Sequence, residues 1–236
     1  MSGARDPLSQ SGVFPTTSWS SLLQSAQADA DLRRRTLEKL FVTYWRPVYC
    51  CARFGWKLSP EDAEDAVQSF FLELLERDFP EGIAEGRGRF RNYLKKALKH
   101  FLLNVRRDRG RAKRGGLVRL FPLEEARQIA SREGDPEQIF DQEWIKTLLQ
   151  RAREWLREDL MAEKKEAYYR VFELYDLGEG SMTYQEAAGR IGISESDVRN
   201  YLHAARDRFR SVVIQLVRDY AVDAEDAGEE LGWVLG

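Results

Sequence analysis

The sequence predicts an all-α protein of two helical domains joined by a linker, and three observations carry that expectation. Apolar residues recur at spacings of three and four through most of the chain, the period of amphipathic helices. Helix-start signals stand ahead of several of these stripes: Ser59-Pro60-Glu61-Asp62, Asp135-Pro136-Glu137, Thr183 with Glu186, and Ser194 with Asp197. Between the two groups of stripes lies a stretch with little period, bounded by Gly115-Gly116 and by Arg132-Glu133-Gly134-Asp135-Pro136.

Size and composition narrow the class. A chain of 236 residues holds one large or two small domains and can bury a sizeable core. Charged residues make up 32% of it and the mean hydropathy is −0.54, values of a soluble protein. No run approaches the roughly 20 apolar residues of a membrane helix. No basic segment followed by an apolar core opens the chain, so a secretory signal is not expected. Cys50 and Cys51 are adjacent in an apolar segment and read as packed thiols rather than a disulfide. The only histidines are His100 and His203, so a Cys/His metal site is unsupported. A cytoplasmic protein with no metal, no cofactor and no membrane partner is expected.

Taken in order, residues 1–18 are rich in Ser, Gly and Pro and are expected to be disordered or loosely packed. A first domain is expected over 19–116. Thr17 or Ser18 can cap a short helix that begins at Trp19. A longer helix follows, with Leu37, Leu40, Phe41, Tyr44, Trp45, Val48 and Tyr49 on its stripe, running through Phe54 and kinked near Pro47. The helix opened by Ser59 has a core stripe of Ala63, Ala66, Val67, Phe70, Phe71, Leu74 and Leu75. Its outward face is acidic: Glu61, Asp62, Glu64, Asp65, Gln68 and Glu73. Complementing the helix dipole explains Glu61 and Asp62, but explains Asp65, Gln68 and Glu73 less well. Residues 78–88 form a Gly-rich loop.

The most informative stretch runs from Arg87 to Gly116. It carries twelve cations against one acid, Asp108, although the whole chain is near neutral. Phe90, Tyr93, Leu94, Ala97, Leu98, Phe101 and Leu102 interleave with the charge at helical spacing. One face can pack on a core while the other presents cations and aromatics, the combination that phosphate backbones and unstacked bases require. A solvated basic face is the plain alternative.

Residues 117–136 read as a linker containing a short Leu123–Ala130 helix, and 137–218 as a second domain. Its first helix carries Ile139, Phe140, Trp144, Ile145, Leu148, Leu149, Ala152, Trp155 and Leu156 on one stripe. The next spans about residues 163–174. From Thr183 to Leu202, two capped helices flank Gly192, and Ala187, Ile191, Ile193, Val198 and Leu202 have the spacing of a helix-turn-helix core. The second of these helices exposes Ser196, Arg199, Asn200, His203 and Arg206 toward a major groove. Residues 219–236 are an acidic tail ending in Leu231, Trp233, Val234 and Leu235. No phosphate loop, nucleophile triad or metal cluster is present, so no catalytic residue is assigned and an enzyme is not expected.

The order of these parts resembles the extracytoplasmic-function sigma factors of bacterial RNA polymerase over nearly the whole chain. Asp62-Ala63-Glu64-Asp65-Ala66-Val67-Gln68-Ser69-Phe70-Phe71 is similar to the family's region 2 helix, Phe90-Arg91-Asn92-Tyr93-Leu94 to its F-R-x-W-L motif, and Tyr184–Arg206 to its region 4. Phe14-Pro15-Thr16-Thr17-Ser18-Trp19, the Arg111–Gly116 run and the acidic tail resemble an FPTTxW subgroup common in planctomycetes and myxobacteria.

The resemblance implies that Asp62, Asp65, Gln68 and Glu73 dock on the core polymerase. The 78–88 loop would cradle an unstacked base of the minus-ten element. Arg89, Arg91, Tyr93, Lys96, His100, Asn104 and Arg107 would contact the minus-ten DNA, and Ser196, Arg199, Asn200, His203 and Arg206 would read the minus-thirty-five element. Three departures stand out: Tyr93 replaces the family's Trp, Ser69 replaces an acid, and Asp197 places a carboxylate near the recognition helix start. The implied partners are core RNA polymerase, promoter DNA and a regulator. An anti-sigma factor is the usual regulator, whereas the long N-terminus and acidic tail point to control within the chain or by a Ser/Thr kinase. The alternatives are a stand-alone helix-turn-helix regulator, which needs no separate acidic and basic helices, and an adaptor acting through its Trp-bearing tail.

Overall fold

The computed structural model describes residues 43–76, 90–108, 134–178 and 182–220, with isolated positions at 31, 41, 228, 231, 232 and 234. The regular elements there are helical, and no strand occurs among the described residues, as the sequence predicts. Helix α1 covers residues 43–50, with Pro47 inside it, and passes into a π-helical turn, Cys51–Gly55. It is followed by α2 (Pro60–Glu76), α3 (Phe90–Asp108), α4 (Pro136–Ala162) and α5 (Glu166–Phe172). A second π-turn, Glu173–Leu177, continues α5 and precedes α6 (Tyr184–Ile191) and α7 (Glu195–Tyr220). The expectations for residues 1–18, for the 78–88 loop, for the linker helix and for most of the acidic tail fall outside the described residues.

Two compact units result: residues 1–143 with 218–233, and residues 144–217 with 234–236. The sequence puts the second domain's start at 137, whereas the division falls inside α4, after Glu143. The reason is packing. Ile139 and Phe140 are fully buried, and Phe140 stacks on Tyr44 at 6.4 Å. Pro136 lies so close to Gly55 that a Cβ there would stand 2.7 Å from the Pro136 Cα. The first turns of α4 therefore belong to the first unit's core.

In the first unit, Ser59 caps α2 by accepting from the Asp62 N–H at 3.1 Å, with Pro60 at the first helical position. The stripe Ala63, Ala66, Val67, Phe70, Phe71 and Leu74 is buried. Phe71 meets Phe41 at 4.3 Å, and Phe70 meets Phe101 of α3 at 5.5 Å. Leu94, Leu98 and Leu102 hold α3 to the same core, each stabilising the fold by about 1.5–3 kcal/mol. Cys50 and Cys51 are buried free thiols. Burial, reinforced by the Asp135, Glu137 and Asp141 carboxylates, pushes the Cys51 thiol up to about 12.

The second unit is built on two contiguous clusters. Leu156, Leu160, Tyr169, Phe172 and Ala205 form one, with Phe209 against it; Val171, Ala187, Ala188, Val198 and Leu202 form the other. Tyr168 stacks on Tyr201 at 4.0 Å, tying α5 to α7. Arg208 binds both Asp159 and Glu163, linking α7 to the end of α4.

Candidate nucleic-acid interface

The first candidate surface lies on α3, where the sequence concentrates cations. Its charge divides between two faces. Arg91 donates to Asp141 Oδ1 at 3.2 Å, and Lys95 reaches both Asp141 oxygens at 3.1 and 2.9 Å. These side chains are only 5% and 15% exposed, and that of Asp141 is 12% exposed. One turn away Lys99 pairs with Glu137 at 3.5 Å, but both are over half exposed, so this pair contributes little. Glu143, wholly buried, accepts from Arg46 at 3.2 Å. The acids of α4 thus hold one side of α3 against the first unit.

The opposite side of α3 is open. Tyr93 is half-buried, and Lys96, His100 and Asn104 are exposed. Their spacing of three, four and four sets them in one stripe, and Arg107 comes next in the same register. Leu103, 37% exposed, and Arg106 flank the stripe. The structure therefore brings together Tyr93, Lys96, His100 and Asn104 from the expected minus-ten set and turns Arg91 inward. Arg89 lies outside the described residues.

On α2 the outward acidic face is narrower than the sequence indicates. Asp62 and Asp65 are exposed and Glu73 is half-buried, with half-buried Ser69 between them at spacings of three, four and four. Glu64 and Gln68, expected outside, are 7% and 8% exposed. They flank the apolar stripe closely enough for neighbouring helices to cover them.

The helix-turn-helix of the second unit forms as its spacing dictates. Thr183 accepts from the Glu186 N–H at 3.2 Å, and the Glu186 carboxylate accepts the Thr183 N–H at 2.8 Å, a complete capping box. Those bonds hold the Glu186 carboxyl below its ordinary range. The turn needs a left-handed residue, and Gly192 supplies it at φ +79°, donating to Ala188. Ser194 and Asp197 repeat the box at α7: the Asp197 N–H donates to Ser194 Oγ at 3.1 Å, and the Ser194 N–H donates to Asp197 at 3.3 Å. The Asp197 carboxylate is therefore a cap, which explains an acid at the start of this helix.

Along α7, Ser196, Arg199, Asn200, His203 and Arg206 are all exposed. The Arg199 guanidinium lies over the Tyr184 ring at 5.7 Å. His203 Nδ1 is 3.1 Å from Asp207. Arg206 makes a two-pronged pair with Asp176, at 2.9 and 2.6 Å. Sequence reasoning missed Asp141, Tyr184 and Asp176 as partners of these cations. Only Tyr184 left a local signal, as an aromatic at the first position of a capped helix.

No helix among the described residues is long and apolar enough to cross a membrane, and no cluster of His, Cys, Asp and Glu among them could hold a metal ion. A family model described as "ECF sigma factor" matches residues 35–214, about three quarters of the chain. No curated protein and no solved structure matches.

Proposed function

The chain belongs to the ECF sigma factor family, and from that premise we propose that it binds core RNA polymerase through α2, opens promoter DNA over α3 and reads an upstream element with α7. The family is one of regulatory DNA-binding proteins rather than enzymes, and its partners are core polymerase, promoter DNA and, in general, anti-sigma factors. The observation that carries the proposal is the presence of two separate cationic surfaces, the open stripe of α3 in one unit and the capped recognition helix in the other. A stand-alone helix-turn-helix regulator needs only the second.

The roles follow from chemistry. Asp62, Asp65 and Glu73 present carboxylates to a basic polymerase surface, with Gln68 buried at their margin. Tyr93 stacks on an unpaired minus-ten base, Lys96 neutralises phosphate, His100 offers it a hydrogen bond, and Asn104 and Arg107 continue along the strand. Arg199 and Asn200 offer the donors that read guanine and adenine edges, with Ser196 and His203 beside them. Arg206, held by Asp176, contributes least. Regulation falls to an anti-sigma factor or a kinase.

Run-off transcription with core polymerase and a random promoter library tests this. Wild type should enrich two spaced elements, and the Arg199→Ala/Asn200→Ala variant should lose the upstream one. Duplex binding without initiation would move the weight to the stand-alone regulator.

A further inference from the structure

Two of the five candidate DNA-reading residues on α7, Arg199 and Arg206, connect to one short element, the π-turn Glu173–Leu177, the first of them through Tyr184 of α6. Its Tyr175 ring packs on Tyr184 at 5.3 Å, and Tyr184 in turn lies under the Arg199 guanidinium at 5.7 Å. Its next residue, Asp176, grips Arg206 through two hydrogen bonds. Adjacent residues of a helical turn diverge by about 100°, so Tyr175 and Asp176 reach different helices, α6 and α7. The base of this arrangement is firm: Tyr175 and Tyr184 both pack on the buried cluster that contains Val198 and Leu202 of α7. π-Turns recur at functional sites.

We propose that this π-turn sets the base specificity of the recognition helix, with Tyr184 as the positioning residue for Arg199 and Asp176 as the residue that withholds Arg206 from DNA. The inference rests on the promoter reading above and adds residues that do not themselves touch the groove. Arg199 lies in the second turn of α7, within the N-terminal part that enters the major groove in this motif. A guanidinium restricted to one side of a fixed ring meets guanine in fewer orientations, which sharpens its two-pronged contact. Arg206 lies two turns further along, about 10 Å toward the end that leaves the groove. Free, it would reach phosphate without regard to sequence. Paired with Asp176, its charge is already met inside the unit, so indiscriminate binding falls relative to specific binding.

The test uses the full chain assembled with core polymerase and a promoter library randomised in the upstream element, sequenced before and after selection. Tyr184→Leu should weaken the base preference at one position by about two- to fivefold, the worth of an exposed cation–π contact, and leave the other positions unchanged. Tyr184→Phe, which keeps the ring, should retain the preference. Asp176→Ala should preserve the preferred sequence while steepening the dependence of log affinity on log salt by about 0.9, one added phosphate contact. The Asp176→Ala/Arg206→Ala double variant should restore the original slope. An unchanged profile in Tyr184→Leu overturns the proposal. So does an even loss at every position, a Phe variant as impaired as Leu, or a salt slope in Asp176→Ala equal to wild type. A wild-type assembly that selects no upstream sequence sinks the promoter reading itself.

Discussion

Replacing Asp141 by alanine is the sharpest probe of the first unit, because one carboxylate answers two cations. Arg91 and Lys95 are 5% and 15% exposed, and both reach Asp141 within 3.2 Å. Removing the carboxylate takes this shared partner from two cations that have little access to water, and breaking a buried pair in this way costs about 3–5 kcal/mol. Against a typical domain stability of about 5–15 kcal/mol, that is roughly a fifth or more of the total. At about 2 kcal/mol per molar urea, the midpoint should fall by roughly 2 M in equilibrium unfolding. The triple variant Arg91→Met/Lys95→Met/Asp141→Leu replaces the ionic cluster with apolar groups of similar size and should recover most of the loss, since such swaps are often neutral or better. Stability of Asp141→Ala within about 0.5 kcal/mol of wild type would refute the reasoning. It would mean that Arg91 and Lys95 find water or phosphate on their own and that α4 does not hold this side of α3.

Three further outcomes are expected. Lys96→Ala should lower minus-ten strand binding and reduce the salt slope by about 0.7–0.9, measured by fluorescence anisotropy across a salt series, whereas the apolar triple variant should leave that slope unchanged. Cys51 should resist iodoacetamide in the native protein at pH 8 and react after urea is added, because its thiol is buried and pushed up to about 12; labelling followed by mass spectrometry reads this directly. Glu163 is held below its ordinary value of 4.5 by hydrogen bonds from Lys165 and Arg208, so its contribution is complete above that value and is lost as pH falls through the lower folded value; thermal melts between pH 6 and 3 should show Glu163→Gln losing less stability on acidification than wild type.

Features specified by neighbours in the chain were legible in the sequence. Ser59, Thr183 and Ser194 cap helices because a side-chain oxygen and an N–H three residues on meet through local geometry alone. Gly192 was legible for the same reason, since only the turn itself demands its positive φ. The divided fate of the α3 cations was not. Asp141 lies 50 residues from Arg91 and 46 from Lys95, and no periodicity in either segment indicates that the start of α4 returns to α3. Glu64 and Gln68 show a related limit. A helical wheel fixes their angle from the apolar stripe, but whether that angle is covered depends on how broadly the neighbouring helices wrap α2.

Under the proposed promoter reading, the same distinction decides how much of the basic stretch is available to DNA. If all twelve cations between Arg87 and Arg114 met phosphate, log affinity would fall with log salt at a slope near −11 on duplex DNA. Arg91 and Lys95 already share a buried carboxylate partner, and moving both to phosphate would strand Asp141 away from water. Lys99 is different: its pair with Glu137 is exposed and weak, so a phosphate can displace it at little cost. The slope from this stretch should therefore be shallower than its charge count by about two. The Asp141→Ala protein should show a steeper slope than wild type, since Arg91 and Lys95 then lack the carboxylate they share. A wild-type slope equal to the full count would show that α4 lifts from α3 on binding, which would have to overcome the burial of Ile139 and Phe140 as well as the ion pairs.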